Sequence, residues 1–123
     1  MANTSGDNVR FWAPPKADFR EVLAAGRTNG TSPLAAGEAI GQFGTFDFQR
    51  EDDRFYTAYT DASNYAVGVY MSGAGYSLEE TLALGRLYAW ARSSNAGAQA
   101  QVDWWKRGWN DATNGSGPFA NSR

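Results

Sequence analysis

The chain has 123 residues and a net charge of −2, room for one domain with a core of its own and too little positive charge for a general phosphate-binding face. It has no cysteine and no histidine, which excludes disulfides, thiol nucleophiles, thiolate or imidazole metal sites, and any mechanism built on a serine–histidine or cysteine–histidine pair. Carboxylates, arginines, tyrosines, hydroxyls and amides remain for chemistry, and no cofactor or metal site is expected.

Residues 1–10 read as a flexible leader without the basic and apolar regions of a signal peptide, and no stretch reaches transmembrane length, so no membrane insertion is expected. The run Phe11-Trp12-Ala13-Pro14-Pro15 is extended, because a residue preceding proline is pushed out of the helical region. Residues 16–25 predict a short helix with Phe19, Val22 and Leu23 on one face and Gly26 as its stop. Ser32 and Pro33 open a second helix as N-cap and first residue. It ends near Gly41 and carries Glu38 close to its C-terminal end.

A β-hairpin is expected next. Residues 45–49 alternate aromatic and polar, so Phe46 and Phe48 face one way and Asp47 the other. Residues 50–53 form the turn, and residues 54–59 return with many β-formers. Thr60 or Asp61 then caps a helix in which Ala62, Tyr65, Ala66, Val69 and Gly73 recur at helical spacing. Ser77-Leu78-Glu79-Glu80 is a capping box. The helix it opens runs to about Ser93 and is apolar enough to be expected at the centre, with Gly85 admitting a close neighbour. A last helix over 98–112 places Val102, Trp105, Trp109 and Ala112 on one stripe. Residues 114–123 read as a fraying tail. The expected fold is a single α+β domain, mainly α, with four to five helices and one hairpin.

Most of the thirteen carboxylates read as solvated. Asp7, Asp18, Glu21, Glu51, Asp52, Asp53 and Asp111 sit in turns or on polar faces; Glu79, Glu80 and Asp61 serve helix starts. Three stand out. Asp47 lies between two aromatics that can desolvate it, against the plainer reading of a strand residue paired with Arg50 or Arg54. Glu38 ends a helix, against the plainer reading of a surface residue. Asp103 lies between Val102 and Trp104, where pairing with Lys106 or Arg107 is the plainer role. A helix ending in Glu, then a hairpin, then a helical bundle is the layout of lysozyme-like glycosidases, in which a carboxylic acid protonates the leaving group. Asn64, Tyr65 and the tryptophans suit sugar contacts, although a tryptophan stripe is more often core. Arg50, Arg54, Arg86 and Arg92 offer the rival chemistry, RNA cleavage with arginine stabilising the phosphorane.

The runs Gly44-Thr45-Phe46-Asp47-Phe48-Gln49, Ser63-Asn64-Tyr65-Ala66-Val67-Gly68, and Gly73-Ala74-Gly75-Tyr76-Ser77-Leu78-Glu79-Glu80-Thr81-Leu82 resemble the bacterial polymorphic toxin type 44 family. So do Ser93-Ser94-Asn95-Ala96-Gly97, Gln101-Val102-Asp103-Trp104-Trp105 and Gly108-Trp109. The resemblance covers roughly residues 40–112. It carries Asp47, Asn64, Tyr65 and Asp103 as motif residues, with Gln49 where a lysine is common and Ala66 where a glycine is common. It implies a bacterial toxin domain, often at the C-terminus of a large secreted Rhs-type protein. Such a domain is delivered into a competitor by a secretion apparatus and neutralised by a cognate immunity protein.

The expected activity is hydrolysis of peptidoglycan glycan in the target periplasm. Glu38 or Asp47 would be the acid, with the other, or Asp103, as its partner, and Asn64, Tyr65, Arg50 and Trp104 would bind substrate. The alternatives are a toxin ribonuclease in the target cytoplasm and a non-enzymatic carbohydrate- or protein-binding module.

Overall fold

The computed structural model describes residues 2–4, 10–13, 17–32, 35–36, 39, 50–51, 54–55, 60–92 and 99–119. Their elements are β1 (Ala2–Thr4), β2 (Arg10–Trp12), α1 (Phe19–Asn29), β3 (Arg50–Glu51), β4 (Arg54–Phe55), α2 (Thr60–Ala74), α3 (Leu78–Arg92), α4 (Gln99–Asn114) and a closing 3-10 turn, Gly117–Phe119. The fold is mainly helical, as expected.

The hairpin expected over residues 45–59 is not supported at that length. Among the described residues it is reduced to a two-residue antiparallel ladder, Arg50 opposite Phe55 and Glu51 opposite Arg54. Arg50 and Glu51 therefore belong to the ladder rather than to the turn, and residues 45–49 and 56–59 lie outside the described residues. A second antiparallel pair joins β1 to β2, with Ala2 opposite Trp12 and Thr4 opposite Arg10, where a leader was expected.

Helix α1 begins later and ends later than its apolar spacing suggests. Asp18 is extended and its side chain accepts from the Arg20 N–H at 2.9 Å, which fixes the start at Phe19 by supplying an acceptor to the first turn. The end comes at Gly30, whose φ of 62° suits glycine and whose N–H bonds the Gly26 carbonyl at 2.9 Å. Gly26 is thus an interior residue rather than a stop. It is buried in the seam with α2, where an added Cβ would fall on the Tyr70 carbonyl. The Ser32 cap is present: Ser32 Oγ accepts from Ala35 N–H at 3.2 Å. Ala36 and Ala39, both helical, are buried.

Helix α2 is the centre of the molecule. All seven residues from 65 to 71 are buried, so its middle has no polar face, the pattern of a helix enclosed on all sides. It lies between α1 and α4. Glycines on both partners let the backbones touch at each seam. A Cβ on Gly68 would fall on the Trp105 carbonyl, one on Gly108 on the Tyr65 carbonyl, and one on Gly73 on the Leu23 carbonyl.

The central position expected for α3 is corrected accordingly, for Glu79, Glu80, Ala83 and Arg86 leave α3 exposed on one side. Its capping box is as expected: Glu80 N–H donates to Ser77 Oγ at 3.1 Å, and Ser77 N–H donates to Glu80 Oε1 at 2.9 Å. Gly85 does admit a neighbour, the Trp105 ring, 3.0 Å from where its Cβ would be.

The chain folds back after α4 instead of fraying at once. Gly115 and Gly117 turn it with φ of 69° and 58°, the Arg20 guanidinium donates to the Pro118 carbonyl at 3.3 Å, and Phe119 enters the core at 3% exposure.

Candidate functional site

Asp47 and Glu38, the expected acid and its partner, lie outside the described residues. Arg50 is placed by its backbone in β3, and its side chain is likewise outside them. Asp103 is an exposed residue of α4. The remaining expected residues are brought together by the α2–α4 seam. Asn64 Oδ1 accepts from the Trp105 indole Nε1 at 3.1 Å. The half-buried Trp104 meets the Tyr65 ring edge-on, with centroids 6.2 Å apart, and Phe19 meets the same ring from α1 at 5.1 Å.

Tyr65 itself cannot touch a substrate in this state. It has no exposed surface, and its hydroxyl donates to Asp111 Oδ2 at 2.6 Å. It binds α2 to α4.

The described residues hold one carboxylate that the sequence reading placed on the surface and the fold buries. Asp111 is 3% exposed, and burying a carboxylate is costly unless donors replace its water. Three side chains do so. Oδ2 receives Tyr65 Oη and, at 3.2 Å, Arg107 Nε; Oδ1 receives Ser116 Oγ at 2.8 Å. The donors come from α2, from one turn earlier on α4, and from the segment after α4. Asp111 is therefore the point where three parts of the chain are tied. Two sequence signals bear on it: the i, i+4 spacing from Arg107, and the need of a tyrosine inside an apolar run for a partner for its hydroxyl. Neither reveals burial without the fold.

Among the described residues no three acidic side chains gather as a metal site, and no helix is long and apolar enough to cross a membrane. Compared with known proteins, the chain matches no family model, no curated protein and no solved structure.

Proposed function

We propose that this chain is the toxin domain of an antibacterial protein delivered into competitors, and that it hydrolyses the glycan of cell-wall peptidoglycan with carboxylates. The observation that carries the reading is the sequence resemblance to the type 44 toxins. Two of its segments, about forty residues apart, share one seam: Asn64-Tyr65 on α2 and Asp103-Trp104-Trp105 on α4. The absence of histidine and cysteine leaves carboxylates as the proton donors and acceptors for such a reaction. In the proposed lysozyme-like arrangement, Glu38 and Asp47 form the acid and its partner from either side of a helix-to-hairpin junction. Asn64 and Tyr65 hold the α2–α4 seam that joins the motif segments, and a cognate immunity protein covers the site in the producing cell.

The test is toxicity by compartment. Expression with an export signal should lyse the host, expression without one should leave growth intact, and the purified protein should clear a peptidoglycan suspension. Asp47→Ala should remove both lysis and clearing. Killing from the cytoplasm with degradation of total RNA would replace this reading with a ribonuclease. Binding to peptidoglycan without clearing would replace it with a binding module.

A further inference from the structure

We infer that residues 115–119 form a hinged strap that opens as a unit while the helical body stays folded, and that Asp111 is the post to which it is fastened. The strap contains two glycines with positive φ values, 69° at Gly115 and 58° at Gly117, conformations glycine enters and leaves with little steric penalty. Between them Ser116 makes two bonds back to one residue: its hydroxyl donates to Asp111 Oδ1 at 2.8 Å and its N–H to the Asp111 carbonyl at 3.0 Å. Beyond Ser116, Pro118 accepts from the Arg20 guanidinium, Phe119 belongs to the buried core, and the closing turn packs on α4 and α1.

The distribution of donors around Asp111 is what separates strap from body. Tyr65 and Arg107 hold Oδ2 from within the helices, and Ser116 holds Oδ1 from the strap. When the strap leaves, the buried carboxylate keeps two donors, so the α2–α4 seam is not left with an unsatisfied charge. Opening withdraws the Phe119 side chain from the core. That is a far smaller exposure than unfolding the body, and such segments open at lower free energy than the global transition.

Native-state hydrogen exchange on the 123-residue chain tests this. The Ser116 and Phe119 amides should exchange with a shallow dependence on denaturant, and the Val69 and Tyr70 amides of α2 with the steep dependence of global unfolding. Ser116→Ala removes a hydrogen bond to a carboxylate that strap opening and global unfolding both break, so strap and α2 amides should speed up by a similar factor, roughly tenfold or more. Glu80→Ala, by contrast, loosens a cap that strap opening leaves intact; it should speed the α2 amides about two- to fivefold and leave the strap amides unchanged. Strap and α2 amides sharing one rate and one slope in the unmodified chain would overturn the proposal. Ser116→Ala leaving the strap amides unchanged, or Glu80→Ala accelerating both sets equally, would overturn it as well.

Discussion

Helix α2 is gripped on two sides, and the two seams use the same backbone device with different fastenings. Toward α1, Gly26 and Gly73 allow the approach, and the polar crossing is peripheral: Asn29 Nδ2 donates to the Tyr70 hydroxyl at 3.1 Å. Toward α4, Gly68 and Gly108 do the same, but the crossings run through the core and along its edge. Trp105 bonds Asn64, Tyr65 bonds Asp111, and the Ser72 and Thr113 hydroxyls share a bond of 2.6 Å. Glycine contact brings two helices close without choosing a register, since apolar surface is non-directional. Buried hydrogen bonds choose it, because a shifted register leaves donors and acceptors unpaired. The α4 seam is thus specified, and the α1 seam is chiefly packed.

Substitutions can break that contrast or sharpen it. Trp105→Ala should have the largest effect, about 3–5 kcal/mol. It empties a fully buried indole site, removes the indole donor to Asn64 and leaves space beside Gly85; a thermal melt should show a collapsed or absent transition. Gly108→Ala and Gly26→Ala should each destabilise by about 2–3 kcal/mol in denaturant titration, because both put a Cβ onto a neighbouring helix carbonyl and force the seam apart. A large penalty at Gly108 with none at Gly26 would mean that only one seam is close-packed.

Tyr65→Phe and Tyr70→Phe make the sharper pair. The first removes a donor from a buried carboxylate and should lower stability by about 2 kcal/mol; the second breaks a bond to a partly solvated amide and should lower it by about 1 kcal/mol. Equal shifts in urea midpoint would erase the distinction drawn between the seams. The smallest effect is expected from Glu80→Ala, which loosens the α3 capping box outside both seams. It should cost about 0.5–1 kcal/mol and appear as faster exchange of the Ser77 amide.

What was legible in the sequence was local. The Ser77–Glu80 box, the Ser32 cap, the close approach at Gly85 and the stripe of Val102 and Trp105 all rest on spacings within a few residues, and each is present. Gly26 shows where that stops. A glycine near a helix end can be a stop or a contact point, and the choice depends on Tyr70, far away in sequence. Centrality was assigned to α3 from its apolar content, yet α2 holds it, because enclosure requires two glycine-bearing partners and not apolar residues alone.

The candidate site was harder still. Tyr65 in a motif looks the same whether it faces a substrate or Asp111. Asp111 after Arg107 looks like a surface ion pair until Tyr65 arrives from 46 residues away. Asp47 and Glu38, on which the proposed chemistry rests, lie outside the described residues.

The all-round burial of α2 has a consequence for how the chain reaches its fold. The bonds that fasten the central helix close loops of 41 residues on one side and of 41 and 46 on the other, so the entropy of closure falls due before the reward of packing. Until both flanking helices arrive, the middle of α2, residues 65–71, is apolar surface with no side suited to water. Assembly of the body is therefore expected to be cooperative and slower than for a bundle of sequential neighbours. During that interval this stretch is the segment most exposed to association with other chains, and a chain truncated before α4 should aggregate rather than fold.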